Sequence, residues 1–63
     1  MNDPTKHEMR ARLQEAADII FEVEKVLDIN SDLRKFGYRA RIEISEFQNQ
    51  ILWTKDEEIP YKK

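Results

Sequence analysis

Ser31 to Asp56, SDLRKFGYRARIEISEFQNQILWTKD, decides the fold, because its apolar residues fit a helix that has more than one face to cover. At about 100° per residue, Leu33, Phe36, Gly37, Ala40, Ile44, Phe47, Ile51 and Thr54 share one sector at spacings of three and four, which reads as a core-facing seam. On the other side of the same helix, Tyr38, Ile42, Ser45, Asn49 and Trp53 form a second line. A helix with two faces to bury needs two neighbours.

The competing reading of residues 40–52 is a β-hairpin, since Ala40, Ile42 and Ile44 alternate with Arg41, Glu43 and Ser45. No turn signal bounds such a hairpin: Glu46 to Gln50, EFQNQ, holds neither Gly nor Pro, and the helical spacing continues on both sides. The spacing therefore predicts one helix over about 32–56. Gly37 is its weak point, costing about 1 kcal/mol relative to alanine in a helix interior, and its place on the seam points to close approach of a facing helix.

Upstream, Asn2, Asp3 and Pro4 read as a start signal, with Asp3 as N-cap and Pro4 preset for the first helical position of a helix running to about Asp28. Met9, Leu13, Ala16, Ile20, Val23 and Leu27 are spaced as a coiled-coil heptad seam, widened by Arg12, Ile19 and Val26. Phe21 lies off that seam beside Ala17. Between the two patterns Asn30 is placed to end the first helix in the left-handed conformation and Ser31 to cap the second, with residues 29–31 as the turn. So short a connection makes the helices antiparallel neighbours, each about 25 residues and roughly 37 Å long.

Charges agree with that hairpin. Folding the chain at Asn30 brings Glu22 and Glu24 near Arg34, Lys35 and Arg39, and Lys6 and Arg10 near Asp56, Glu57 and Glu58. Surface pairs of this kind mark register more than stability. Beyond Asp56 the periodicity stops, and Pro60 forbids helix through the tail of residues 59–63.

The 63 residues allow one domain, and 38 % charged residues with one Gly and two Pro is a helical composition. Without cysteine there is neither a disulfide staple nor a thiolate metal site. No apolar run approaches the ~18 residues of a membrane span, and Met1 to Arg12 lacks the pattern of a secretory signal, so the expected compartment is the cytoplasm and no membrane partner is expected. Two helices meeting along one line bury little apolar surface against the entropy of ordering their chain. The expected architecture is thus an all-α antiparallel helical hairpin dimerising into a four-helix bundle, or completed by another protein.

Candidate chemistry is sparse. His7, the one histidine, has no second His or Cys within helical reach and reads as a solvated residue. The carboxylate pairs Glu15 with Asp18 and Glu43 with Glu46 have the i, i+3 spacing of metal-binding bundles, but they point away from the seam and read as a solvated face. Neither a cofactor nor a metal is expected, nor is catalysis. Arg34, Lys35, Arg39 and Arg41 surround Phe36 and Tyr38 and make nucleic-acid binding the alternative function, although a net charge of −2 argues against broad affinity for phosphate. Tyr38, Ile42 and Trp53, with Phe21, form the sharper candidate, a protein-binding surface, because Tyr and Trp bury large area at low entropic cost. The expected function is a small non-catalytic protein-interaction module: an adaptor, inhibitor or regulator.

Overall fold

The computed structural model describes residues 3–62; Met1, the Asn2 of the expected start signal and the terminal Lys63 lie outside them. Helix α1 spans Lys6–Lys25. Its N-cap is Thr5, not Asp3: Thr5 is extended, and its Oγ1 accepts from the Glu8 N–H at 3.1 Å. Thr5 also has an acidic residue three positions on, Glu8, whose carboxylate accepts from the Thr5 hydroxyl at 3.3 Å. That Thr-x-x-Glu pattern supplies a better start than the Asp-Pro pair ahead of it, which stays outside the helix.

α1 ends at Lys25, short of Asp28, with the Val26 and Leu27 N–H groups bonding back to Val23 O at 3.2 Å and Glu24 O at 3.0 Å. The turn that follows does not use a left-handed Asn30, since no described non-glycine residue has positive φ. Instead the Asp28 carboxylate accepts from the Asn30 N–H at 2.8 Å, an Asx turn that reverses the chain without the steric cost of the left-handed region. Ser31 then caps helix α2, Asp32–Trp53, accepting from the Arg34 N–H at 3.1 Å. α2 is unbroken through residues 40–52, so the alternation around Ile42 reports helix faces and not a strand.

The two helices pack against each other as a hairpin. Along the contact, buried and half-buried positions include Leu13, Ala17, Ile20 and Glu24 of α1, with Leu27 just past its end, facing Arg34, Gly37, Arg41, Ile44, Gln48 and Ile51 of α2. This line differs from the apolar sector read in the sequence by roughly 60° about α2. Leu33, Phe36 and Phe47, read as seam, are 67 %, 64 % and 56 % exposed. Gly37 sets the rotation. A Cβ there would lie 2.6 Å from Glu24 Cγ, so the glycine lets the Glu24 side chain lie flat against α2 and turns that polar stripe, not Phe36, toward α1.

Past Thr54 the chain makes one 3₁₀ turn, Asp56–Glu58, before the tail. Lys6 ties this end, donating to the Leu52 carbonyl at 3.1 Å and pairing with Asp56 at 3.4 Å. Arg10, expected beside the same acids, lies half-buried in the seam, where its carbonyl accepts from Gln48 Nε2 at 2.9 Å. The tail folds back: the Tyr61 hydroxyl donates to the Pro4 carbonyl at 2.6 Å, and Ile59 and Tyr61 edge an apolar notch with Met9, Phe47 and Ile51. The result measures 44 × 21 × 18 Å. Its radius of gyration of 14.5 Å exceeds the about 10.6 Å of a compact domain of this length. Among the described residues no helix is long and apolar enough to cross a membrane.

Candidate functional site

The most constrained constellation begins with a buried charge. Glu24 is 2 % exposed, and Arg41 grips it from one turn beyond Gly37, with Nη2 to Oε1 at 2.9 Å and Nε to the other carboxylate oxygen. The fork-on-fork geometry is the strong form of this interaction. The Arg41 hydrogen bond holds the Glu24 carboxyl below its ordinary value of 4.5 against the opposing effect of burial, and the charges of Arg41 and Arg34 push the same way. Arg41 is correspondingly raised, chiefly by Glu24.

With Nε and Nη2 engaged by Glu24, the Arg41 guanidinium lies over two aromatics. It lies 4.8 Å from the Phe21 ring centre and 5.5 Å from that of Tyr38. Lys25 approaches Phe21 as well, at 4.8 Å. Cations over ring faces are attracted by the ring quadrupole, so these contacts fix aromatics that the helices alone leave at the surface. The structure thereby gathers Phe21 and Tyr38, from different helices, around one arginine. Ile42 continues the Tyr38 line one turn on and is 44 % exposed. Trp53 does not join them: it stands 15 positions after Tyr38, roughly 22 Å along the helix, beside a shallow groove that it shares with Glu43, Glu46, Phe47, Asn49 and Gln50.

The basic run is divided by the same packing. Arg34 is half-buried and donates to the Leu27 carbonyl at 3.2 Å, and Arg41 is bound to Glu24. Lys35 pairs with Asp32 at 3.7 Å and Arg39 lies 6.0 Å from the Phe36 ring, both toward solvent. Glu24 does lie by Arg34 and Lys35, as folding the chain at Asn30 anticipates: the Arg34 charge acts on its carboxyl and the three residues line one hollow, although its direct partner is Arg41. Glu22 meets Lys25 within its own helix at 3.5 Å, and Glu24 crosses the bare Gly37 to reach Arg41 one turn on. His7, Glu15, Asp18, Glu43 and Glu46 are all exposed, and Asp18 accepts from Gln14 at 3.0 Å. Among the described residues no three His, Cys, Asp or Glu side chains gather as a metal site.

Sequence reasoning missed the Glu24–Arg41 pair. The signal was present: Glu24 continues the Ala17, Ile20, Leu27 spacing, which is a core position, and a carboxylate there needs a cation and room. Compared with known proteins, the chain matches no family model, no curated protein and no solved structure.

Proposed function

We propose that the chain is a small non-catalytic protein-interaction module, an adaptor, inhibitor or regulator, that pairs with a second copy as a four-helix bundle and meets a protein partner through the side bearing Phe21, Tyr38, Ile42 and Trp53. The observation that carries this reading is the exposure of the large aromatics: Trp53 is 70 % and Tyr38 55 % exposed. Exposed aromatics with a polar handle are the side chains from which binding hot spots are built, and Phe21 and Tyr38 are already held in place by Arg41.

Nucleic-acid binding is the weaker reading, because Arg34 and Arg41 are engaged within the hairpin and leave Lys35 and Arg39 as the cations of that run turned to solvent. The test is affinity capture from the native host's lysate with the wild-type chain, Tyr38→Ala and Trp53→Ala as parallel baits. A captured protein whose recovery falls by roughly 30-fold with either variant supports the proposal. Equal recovery by all three baits contradicts it. Retardation of RNA or duplex DNA that weakens steeply with salt favours the nucleic-acid reading instead.

A further inference from the structure

We infer that a second copy of this chain covers the face built from Ile19 and Val23 of α1 with Leu33, Phe36 and Phe47 of α2. The inference rests on the pairing proposed above and assigns its surface. Each of these residues stands one position before a residue of the helix–helix contact: Ile20, Glu24, Arg34, Gly37 and Gln48. In right-handed helices running antiparallel, the positions just before the contact line turn to one common side of the hairpin, and those just after it turn to the other. The second side carries Asp18, Phe21, Lys25, Tyr38, Ile42 and Asn49. The two sides therefore differ in kind. One carries all five named apolar residues, each exposed, with Arg12 and Glu43 among them; the other mixes polar groups with the Arg41 cluster.

Area says how much the apolar side has to lose. A folded monomer of 7.6 kDa is expected to expose about 4,300 Å². This chain exposes 5597 Å², an excess of about 1,300 Å² over that expectation. Were all of that excess covered by a second copy, the total interface would reach about 2,600 Å², within the range of obligate homodimers; this is an upper bound, because Ile29, Tyr38 and Trp53 away from this face contribute to the excess. Charge selects the occupant. The charged residues in the same register are Arg12 and Glu43, one of each sign, both exposed. In an isologous interface residue i meets j while j meets i, so a dyad passing between Arg12 and Glu43 sets each against the opposite charge of the second copy.

The same geometry accounts for the sequence pattern. Leu33, Phe36, Ala40, Ile44, Phe47 and Ile51 straddle the contact line and the apolar face, and their common sector points between the hairpin neighbour and the second copy, toward the axis of a four-helix bundle.

The chain has no cysteine, so single introduced thiols report coverage without interference. Val23→Cys and Ile42→Cys are made separately, both small changes at exposed positions, and labelled with a thiol reagent across a dilution series whose mass is followed by light scattering. At about 100 times the dissociation constant, Val23→Cys should react roughly tenfold more slowly than after dilution to monomer, while Ile42→Cys reacts at one rate throughout. Undiminished reactivity of Val23→Cys in a species of dimer mass overturns the face assignment while leaving the pairing intact, as does protection of Ile42→Cys in its place. A mass of one chain at every concentration, with helical circular dichroism retained, overturns the pairing itself.

Discussion

Replacing Gly37 with alanine separates two opposed effects whose sizes the structure supplies. On helix propensity alone the change should stabilise α2 by about 1 kcal/mol. The new Cβ, however, would lie 2.6 Å from Glu24 Cγ and 3.0 Å from Cδ. Cγ is not the free end of a flexible chain, because the carboxylate beyond it is held by Nε and Nη2 of Arg41. Overpacking of this severity costs ~1–3 kcal/mol, so Gly37→Ala should be neutral to destabilising by about 2 kcal/mol in the wild-type chain. Shortening the obstacle reverses the sign: in a Glu24→Ala background the clash is gone and the same change should stabilise by about 1 kcal/mol. Thermal unfolding of the four chains at one fixed protein concentration completes the cycle, with 1 kcal/mol worth about 4–8 °C in a domain of this size. If Gly37→Ala raises the melting temperature equally in both backgrounds, Glu24 does not lie on Gly37 and the polar seam described above is wrong.

Ser31→Ala removes the cap of α2 and should cost about 1 kcal/mol, read as a lower urea midpoint at unchanged slope. Trp53→Ala should leave unfolding within about 0.5 kcal/mol of wild type, since the indole is 70 % exposed, while sharply reducing partner capture. Acid should unfold the chain partly through Glu24. Its carboxyl is lowered in the fold, so its contribution is fully present above the ordinary value of 4.5 and is lost as pH falls through the folded value. Melting followed from pH 7 to pH 2, as a window of about five units, should show that loss, and Glu24→Gln should flatten the acid limb while lowering stability at neutral pH. A Glu24→Gln chain with an unchanged acid limb contradicts the placement of that carboxylate.

The hairpin was legible in the sequence because local chemistry dictates it. Ser31 followed by an apolar period can hardly fail to cap a helix, and Asp28 to Asp32 is too short to do anything but reverse the chain. The pairing of Lys6 with Asp56 also followed from folding the chain about Asn30. What periodicity could not supply was the angle at which α2 meets α1. A wheel averages every apolar residue into one direction, whereas the contact is decided by one glycine and the glutamate that occupies its missing side chain. For the same reason Phe36 and Phe47 were read as interior to the hairpin, and the Glu24–Arg41 pair, whose members the wheel counts only as polar, escaped notice. The candidate site was half legible: Tyr38, Ile42 and Trp53 were placed on one face, but that an arginine joins Tyr38 to Phe21 of the other helix depends on packing that no spacing rule encodes.

Sedimentation equilibrium of the wild-type chain at micromolar concentration decides whether the hairpin is half of a folded unit. A paired hairpin gives a helical species of twice the 7.6 kDa chain mass whose melting temperature rises with protein concentration. A cooperatively melting species of 7.6 kDa, with a melting temperature independent of concentration, would contradict it.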